Sequence, residues 1–355
     1  MTATHMRAPH TKALRVLHIH FGKEGGAERF CVNLAKALGR RGVEQHFVIR
    51  PNRSWEGEIA PLGPIIRNNY RYLSLSRYWL EWKLRHICRT WQPDAILAWM
   101  PRAARAIPDW PDAVKMTRLG DFPQKLDHFS RCDALVGNTP DIISHCQGLG
   151  WSKPGLVISN FARPVTPVAV DRAAHDTPDD AFLIAAAGRF VNRKGLDLAI
   201  RATARIEGAY LWLIGDGKER AALEALSREQ GIADRTRFIG WVDEPVHHLA
   251  AADAVAFPSR HEPLGNVILD AWQAGVPVVS TRAEGPSWFF RDQTDGIMVD
   301  IDDLDGLTSG LQTLKDNPDL RARYAAAGPA RLQGMFSEDA VVDAYLAAFR
   351  GELGT

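Results

Sequence analysis

The stretch that decides the fold is LRVLHIHFGKEGGAERFCVNLAKALGRRGVEQHFVIR, residues 14–50. Residues 14–20 form a run rich in branched apolar side chains, which is typical of a buried strand, and a glycine-rich turn follows at residues 21–29. Apolar residues at near-helical spacing then predict an amphipathic helix: Phe30, Val32, Leu34, Ala35 and Leu38. Because residues 46–50 return as a strand, the stretch predicts a βαβ unit.

The same alternation continues along the chain. Further strands are predicted at residues 95–99, 114–117, 134–138, 156–160, 182–187, 210–214, 236–239, 254–257, 276–280 and 296–299. In the second half, helices are predicted at residues 196–205, 219–230, 245–252 and 266–274. Strands that alternate with helices predict parallel sheets covered on both faces. We therefore expect an α/β protein of two doubly wound domains, with strand carboxyl ends facing a cleft.

The length of 355 residues suits two domains. Residues 164–180 are rich in Pro, Ala and Asp, lack periodicity and are predicted to be a linker. We therefore divide the chain into an N-terminal domain at residues 1–166, a C-terminal domain at residues 167–335 and a terminal segment at residues 336–355. Residues 337–349 of that segment predict a last amphipathic helix with Ser337 as its N-cap.

Charge is distributed unevenly between the two predicted domains. Residues 1–166 contain 24 Lys and Arg against 13 Asp and Glu, a net charge of +11, whereas the remainder has a net charge of −10. The basic half is expected to face an anionic membrane surface, a phosphorylated acceptor or nucleic acid, and attraction between the domains is the alternative. Because no nucleic-acid-binding module is recognisable, we do not expect a nucleic-acid partner.

No targeting or spanning segment is predicted. Residues 1–15 are polar and basic, and no stretch approaches the roughly 20 apolar residues that cross a bilayer. The cysteines form no C-x-x-C pair and are expected to be reduced structural thiols: Cys31, Cys88, Cys132 and Cys146. These features predict a cytoplasmic protein, with peripheral attachment to the inner face of the cytoplasmic membrane as an extension of that prediction.

Residues 70–91 combine aromatic and basic side chains, namely Tyr72, Tyr78, Trp79, Trp82, Arg85, Arg89 and Trp91. Their helical spacing favours a core helix with a basic outer face. A helix that lies on a membrane surface is the alternative. We prefer the core helix, because the apolar residues are not segregated cleanly on one side.

Candidate phosphate-binding cations follow the strand predicted at residues 182–187. Arg189 and Lys194 lie in the turn from Gly188 to Gly195. A turn at a strand end can direct both cations at one diphosphate, because Arg supplies a planar fork and Lys a point charge. Gly215, and the main chain of the Gly240-Trp241-Val242 segment, follow two further strands and could approach the ligand closely or read a nucleobase edge. Each of these turns, taken alone, also fits an ordinary βα connection.

The most specific segment is PSRHEPLGNVILD, residues 258–270. Glu262 is predicted to precede a helix, and Asp270 to lie about two turns into it. Pro263 near the start fits helix punctuation, and the free N–H groups of residues 264–267 would point at an anion. The two carboxylates would accept hydrogen bonds from sugar and ribose hydroxyls. The alternative interpretation of this segment, taken alone, is that Glu262 is an acidic residue at a helix start and that Asp270 is a solvated helix residue.

Together these segments resemble the retaining glycosyltransferases of GT-B fold in the large family-four group. The matching motifs run over almost the whole chain: Gly25-Gly26-Ala27-Glu28-Arg29, Gly188-Arg189 to Lys194-Gly195, Ile214-Gly215-Asp216-Gly217, Phe238-Ile239-Gly240-Trp241-Val242 and Glu262-Pro263-Leu264-Gly265 onward. The family signature E-x(7)-E reads E-x(7)-D here, because Asp270 replaces the second Glu. The resemblance implies two Rossmann-like domains and a terminal helix that crosses back onto the first.

The resemblance also implies roles for particular residues. Glu262 would lie by the donor sugar, Asp270 would hold the ribose hydroxyls, and Arg189 and Lys194 would neutralise the leaving diphosphate, so that no metal or other cofactor is required. The remaining implied donor-binding positions are Gly25, Gly26, Gly188, Gly215, Gly240, Trp241, Val242, Pro263, Leu264, Gly265 and Asn266. Many members carry a His after a strand of the first domain. Here residues 117–121 stand in that place, and whether Arg118, Asp121 or neither contacts the sugar or the acceptor stays open.

The implied activity is a metal-independent transfer of a hexose with retained anomeric configuration. The donor would be a nucleotide diphosphate sugar, with UDP favoured and GDP second. The acceptor would be a glycolipid, oligosaccharide or polysaccharide of lipopolysaccharide core or cell-envelope assembly. An NDP-sugar epimerase of the same architecture and a non-catalytic sugar-nucleotide-binding protein are the alternatives. The sequence shows no convincing acid and base pair for the first, and the retained Arg189, Lys194 and Glu262 argue against the second.

Overall fold

The structure is a computed structural model that describes residues 13–23, 25–70, 75–162 and 165–354. The expectations for residues 1–12, Tyr72 and Pro164 concern positions outside these ranges. The chain divides into two compact units, one of Met1–Ile158 with Val341–Thr355 and the other of Ser159–Ala340. We call them unit 1 and unit 2. The first boundary lies after Ile158, whereas the sequence placed it after residue 166.

Unit 1 is built on a parallel sheet of seven strands in the order β3-β2-β1-β4-β5-β6-β7. The strands are β1 (Arg15–His20), β2 (Glu44–Ile49), β3 (Ile65–Arg67), β4 (Ala95–Trp99), β5 (Val114–Leu119), β6 (Ala134–Gly137) and β7 (Gly155–Val157). The helices are α1 (Gly26–Arg40), α2 (Glu56–Ile59), α3 (Leu75–Trp91), α4 (Met100–Ala104) and α5 (Pro140–Gly148). Short 3-10 turns occupy Ala60–Leu62 and Asp127–Phe129. The predicted βαβ start is confirmed, and the edge strand β3 was missed, because it is three residues long and none of them is fully buried.

Unit 2 is built on a second parallel sheet of six strands in the order β10-β9-β8-β11-β12-β13. The strands are β8 (Leu183–Ala187), β9 (Tyr210–Ile214), β10 (Thr236–Gly240), β11 (Ala254–Phe257), β12 (Val278–Thr281) and β13 (Ile297–Val299). The helices are α6 (Leu196–Ala204), α7 (Arg220–Glu229), α8 (Pro245–Leu249), α9 (Asn266–Gln273), α10 (Glu284–Phe289), α11 (Leu304–Asp316) and α12 (Pro318–Leu332). The 3-10 turns are Arg172–His175, Asn192–Lys194 and Ala233–Arg235. All six strands and the four helices predicted for this half are confirmed.

Part of the predicted linker packs on unit 2. The Val170 N–H donates to the carbonyl oxygen of His247 at 3.2 Å. The Arg172 guanidinium bonds to the Ala251 carbonyl at 2.9 Å and to the Asp253 carboxylate at 3.0 Å. Residues after 165 are therefore attached to the helix and loop that precede β11.

The last helix, α13 (Glu338–Phe349), begins after Ser337, whose hydroxyl oxygen accepts the Ala340 N–H at 3.2 Å. The predicted N-cap is therefore confirmed. From Val341 onward this helix belongs to unit 1. Its Asp343 pairs with Arg41, and its Tyr345 interacts electrostatically with the buried Arg118. Burial raises the pKa of Tyr345 to about 12, although Arg118 opposes the shift.

The preferred interpretation of α3 as a core helix is wrong for Tyr78, Trp79 and Trp82, whereas Trp91 packs against the core. Leu80, Leu84, Ile87 and Cys88 form the buried face, whereas Tyr78, Trp79 and Trp82 are 67%, 48% and 63% exposed. Helical spacing alone could not distinguish the face that packs from the face that does not.

The cysteines are buried free thiols, and burial raises the pKa of Cys88 to about 12 and those of Cys132 and Cys146 to about 11. Among the helices of the described residues, none combines the length and apolar character needed to cross a membrane.

Two buried imidazoles on β1 make unit 1 sensitive to acid. Burial lowers the pKa of His18 to about 4, although the hydrogen bond that its Nε2 donates to Oε1 of Gln45 opposes the shift. Burial, together with the positive charge of Arg118, lowers the pKa of His20 to about 3. The unfolded chain protonates both near pH 6.5, but the folded chain does not, so stability is lost as the pH falls below 6.5. We expect the free energy of unfolding to fall by roughly 2–3 kcal/mol per pH unit for the pair.

Urea unfolding at pH 7 and at pH 5 measures this loss. His20→Gln should remove about half of the pH dependence that the His18 and His20 pair contributes, whereas His86→Gln, at an exposed position of α3, should leave it unchanged. Equal stability at both pH values in the wild-type chain would contradict the assignment.

Candidate functional site

The candidate site of unit 2 lies where five neighbouring strands end. Because β8 to β12 are parallel, the loops that follow them share one edge of the sheet. These loops carry the predicted residues of this unit: Gly188, Arg189, Lys194, Gly215, Gly240, Trp241, Val242, Glu262, Pro263, Leu264, Gly265 and Asn266. The fold thus collects at one edge motifs that are up to about 80 residues apart in sequence.

Backbone hydrogen bonds join the loops after β8, β9 and β10. The Gly188 N–H donates to the Ile214 carbonyl at 2.9 Å, and the Gly215 N–H donates to the Gly240 carbonyl at 2.8 Å. A Cβ atom at Gly215 would overlap the carbonyl oxygen of Gly188, so glycine is required there by the close approach of two strands' ends. The three loops form one connected frame.

Lys194 and Glu262 form a largely buried ion pair at the centre of this edge. The Lys194 ammonium bonds to Oε2 of Glu262, and the two side chains are 16% and 12% exposed. The ammonium also lies 5.9 Å from the centroid of the Phe257 ring. Lys has three N–H donors and Glu262 occupies one, so donors remain for an incoming anion.

The turn that carries Lys194 is braced by Arg260. Its guanidinium donates to both carboxylate oxygens of Asp197 at 2.8 and 2.7 Å, and to the Asn192 carbonyl at 2.8 Å. Burial raises the pKa of Asp197, but the hydrogen bond and charge of Arg260 outweigh it and hold that pKa below its usual value. Bidentate pairs of this kind fix geometry as well as adding energy. The brace holds the 3-10 turn Asn192–Lys194 against the loop after β11.

Glu284, which the sequence analysis missed, clamps Glu262. Its carboxylate accepts the Glu262 N–H at 3.0 Å and lies 2.8 Å from Nδ1 of His261, while the Gly285 N–H donates to the Glu262 carbonyl at 2.8 Å. Burial raises the pKa of Glu284, but these hydrogen bonds prevail and lower it. One signal was present in the sequence, since Glu284 follows a predicted strand of the same parallel series.

Helix α9 starts directly after the Glu262 segment. Its N-cap residue is Gly265, which has no side chain to bond the first-turn N–H groups. Oδ1 of Asn266, the first residue of the helix, accepts from Nδ2 of Asn160 at 2.8 Å. Asp270 is the fifth residue of the helix and is 6% exposed. The interpretation of Asp270 as a solvated surface residue is therefore excluded.

Two predicted residues of this edge face solvent. Arg189 is exposed, and within the described part of the chain its guanidinium has no ion-pair partner. Trp241 is 65% exposed, and the adjoining Val242 is half-buried. A cation and an aromatic ring are thus exposed at the same edge of the sheet as the buried Lys194–Glu262 pair.

The predicted residues of unit 1 differ in their exposure to solvent. Gly25 is the N-cap of α1 and Gly26 is its first, exposed residue, after the carboxyl end of β1. Arg118 is 1% exposed within β5, with its guanidinium 5.0 Å from the Phe30 ring centroid and 5.6 Å from that of Trp99. Asp121 is half-buried in the loop that follows. Of the two candidates, Asp121 is the accessible one, and Arg118 contacts the core of its own unit.

A metal site is not formed by the residues that the structure describes, since no three His, Cys, Asp or Glu side chains are grouped to hold an ion. The charged groups of the unit 2 edge include the Lys194–Glu262 pair, the Arg260 brace, Glu284, and Arg189, which has no ion-pair partner among the described residues.

Comparison with known proteins shows which families and relatives the chain resembles. Residues 24–111 match glycosyltransferase family 4, and residues 168–331 match the glycosyl transferases of group 1. The chain is 48% identical to the lipopolysaccharide core biosynthesis glycosyltransferase LpsE of Rhizobium meliloti over 94% of this chain and 98% of that protein. It is 47% identical to LpsD of the same organism, also named a lipopolysaccharide core biosynthesis glycosyltransferase, over 95% and 98%.

Solved structures show the same fold at low sequence identity. Anabaena HepE, crystallised with UDP, is 19% identical with a TM-score of 0.80, over 95% of this chain and 100% of that one. WaaG, a glycosyltransferase involved in lipopolysaccharide biosynthesis, is 17% identical with a TM-score of 0.74, over 95% and 100%. Two Rossmann-like domains with these neighbours define the GT-B fold. The chain belongs to the family of lipopolysaccharide core biosynthesis glycosyltransferases that includes LpsE and LpsD.

Proposed function

We propose that this enzyme transfers a hexose from a nucleotide diphosphate sugar to a glycolipid or polysaccharide acceptor of lipopolysaccharide core or cell-envelope assembly. We further propose that the anomeric configuration is retained, that the donor is a UDP-sugar before a GDP-sugar, and that no metal takes part. The names of LpsE and LpsD support the acceptor class. The titles of the HepE structures with UDP and with UDP-glucose support the base.

The observation that carries the proposal is the pairing of Lys194 with Glu262 beside the unpartnered Arg189. Departure of a nucleoside diphosphate leaves negative charge on the phosphates. Fixed cations that need no reorganisation stabilise this charge most effectively. Lys194 is fixed by Glu262 and by the Arg260 brace, whereas Arg189 is free to fold over the diphosphate. In this proposal Lys194 and Arg189 neutralise the diphosphate charge that a divalent ion neutralises in other transferases.

Glu262 and Asp270 would hold the sugars of the donor. The backbone of Glu262 is fixed at both its N–H and its carbonyl by the start of α10, so its side chain has little freedom. Asp270 is buried in α9, where a carboxylate gains most from a hydroxyl donor. Its side chain is one methylene shorter than the family's Glu, so the ribose would lie closer to α9.

The acceptor is proposed to meet the basic residues of the N-terminal half. Its net charge of +11 suits a phosphorylated or otherwise anionic glycolipid. Asp121, half-buried after β5, and the exposed Gly26 at the start of α1 lie at the carboxyl ends of the unit 1 strands, where ligands of parallel sheets bind. Both are proposed to contact the acceptor or the transferred sugar.

Nucleotide binding tests the donor site directly. A ligand that binds the folded state at 100 times its Kd stabilises it by about 2.7 kcal/mol, so saturating UDP should raise the apparent melting temperature of the chain by roughly 5–10 °C. Thermal unfolding is followed with UDP, GDP, ADP and CMP in turn. Arg189→Ala should lose most of the shift, whereas Arg228→Ala, an exposed arginine of α7, should keep it. No shift with any nucleotide at millimolar concentration would remove the donor site from this proposal.

A further inference from the structure

An apolar stripe runs along the exposed side of α3. We use this name for Leu75, Tyr78, Trp79 and Trp82, which are related as i, i+3, i+4 and i+7 and so share one helix face. Ten large hydrophobic side chains are exposed in the described chain, and four of them form this stripe. The other six are scattered over both units. A concentration of rings on one helix marks an interaction surface.

The stripe is held rigidly, because the opposite face of α3 is built into the core of unit 1. Leu80, Leu84 and Cys88 pack in the same cluster as Leu17 and Ile19 of β1. At the end of the helix, the Trp91 ring stacks on His46 of β2 with centroids 3.8 Å apart. The exposed rings are therefore presented on an anchored helix.

Basic side chains continue the same face beyond the stripe. Arg85, His86 and Arg89 follow Leu75 by ten, eleven and fourteen residues, which returns them to the stripe's side of the helix, and all three are exposed. The His86 ring stacks on Trp82 with centroids 6.0 Å apart. One acidic side chain, Glu81, accepts from Arg85 at 2.9 Å. Against it the helix carries four basic residues, namely Arg77, Lys83, Arg85 and Arg89.

This composition selects the kind of partner. Trp and Tyr have an apolar body and a polar tip, and they favour the headgroup layer of a bilayer, where one end of the ring is dry and the other wet. Arginines on the same face match the phosphates of anionic lipids. A second copy of this chain would have to bring Arg85 and Arg89 against the same basic surface. Charge complementarity therefore favours an anionic lipid surface over self-association.

We propose that the exposed face of α3 docks on an anionic bilayer, with Trp79 and Trp82 in the headgroup layer and Arg85 and Arg89 on lipid phosphates. The inference rests on the proposed function, since a glycolipid acceptor brings the enzyme to a bilayer. It adds the surface that makes the contact. Docking through a helix fixed to the sheet of unit 1 would also hold that unit at a set depth.

Vesicle co-sedimentation tests the surface with the full-length chain. Wild-type protein should bind phosphatidylglycerol-containing vesicles at low salt, bind less at high salt and bind phosphatidylcholine vesicles weakly. Trp79→Ser and Trp82→Ser should each weaken binding about tenfold, because each removes a large ring that the headgroup layer would bury. Arg85→Ala and Arg89→Ala should each weaken it about fivefold and reduce its salt dependence.

Matched controls separate the stripe from general surface apolarity. Val168→Ser and Met335→Ser remove exposed apolar side chains elsewhere and should leave binding unchanged. All variants are exposed-site changes, and an unchanged melting temperature verifies their folding. Vesicle binding by the Trp79→Ser, Trp82→Ser double variant at the wild-type level would overturn the proposal. So would a wild-type dimer that the double variant converts to monomer without any binding to vesicles.

Sugar transfer to two forms of acceptor keeps this inference apart from the proposed function. With a water-soluble acceptor fragment the double variant should match wild type, and with acceptor embedded in vesicles it should fall at least about tenfold. If the chain binds vesicles through the stripe but transfers no sugar, the proposed function is contradicted and the proposed membrane surface is retained. If the wild type and the double variant transfer sugar equally well to embedded acceptor, the proposed membrane surface is contradicted and the proposed function is retained.

Discussion

Replacing Lys194 with alanine should lower kcat about 100- to 1,000-fold, the scale on which one preorganised charge stabilises a transition state. The ammonium is fixed between Glu262 and the Phe257 ring, so it meets the developing charge without first reorganising. KM for the donor should change less than kcat, because charge on the leaving diphosphate grows mainly in the transition state. Initial rates of transfer, measured with a chelator present, give both constants.

The variant needs a control for folding, because it leaves the Glu262 carboxylate buried without its cation. Breaking a buried pair costs about 3–5 kcal/mol, so Lys194→Ala is compared with Lys194→Ala/Glu262→Gln, in which the uncompensated charge is gone. The double variant should regain stability but not activity. Lys315→Ala removes a lysine from α11 that bonds to the Glu207 carbonyl, and it should keep wild-type rates. A folded Lys194→Ala enzyme with wild-type kcat would contradict the role assigned to this residue.

Replacing Gly195 with alanine should destabilise unit 2 by about 2–6 kcal/mol, from two causes that add. Gly195 has φ of +63°, a left-handed conformation that costs other residues about 1–3 kcal/mol. A Cβ there would also overlap the carbonyl oxygen of Pro258 in the neighbouring loop, and overpacking of this kind costs a further 1–3 kcal/mol, roughly. The melting temperature should fall by roughly 2–4 °C for each kcal/mol.

Gly231→Ala separates the two causes. Gly231 has φ of +71°, but a Cβ there would meet no atom within 4 Å, so only the conformational cost of about 1 kcal/mol should remain. Gly195→Ala should in addition reduce transfer, since Gly195 ends the 3-10 turn that carries Lys194. Equal losses of stability in the two variants would show that the contact with Pro258 is not made.

The sequence predicted the frame of this protein well. Strands that end in glycine-rich or basic turns placed Arg189, Gly215 and Glu262 at one edge of a parallel sheet, because parallel strands all end on the same side. The alternation of strands and helices follows from the apolar periodicity of neighbouring residues, and the folded chain keeps that periodicity. Ser337 as an N-cap was predictable for the same reason, since its partner is three residues away.

The prediction was weakest where a residue's surroundings come from distant segments. The core interpretation of Trp79 and Trp82 was wrong, since helical spacing shows that a face exists but not whether another element covers it. Glu284 went unnoticed because its role depends on Glu262, 22 residues earlier and on another strand end. The buried stack of Arg118 against Phe30 and Trp99 was equally invisible, because an arginine in sequence carries no mark of burial.

The sequence by itself determined the class of fold, the order of the motifs and the types of side chain available for chemistry, since these follow from local periodicity and composition. Only the tertiary structure decided which charges meet. Lys194 reaches Glu262 across 68 residues of chain, Arg260 braces the turn that carries Lys194, and Arg189 has no ion-pair partner among the described residues. The physical reason is that ion pairing and exposure depend on distances in space, which sheet order and loop packing set, and which no local pattern encodes.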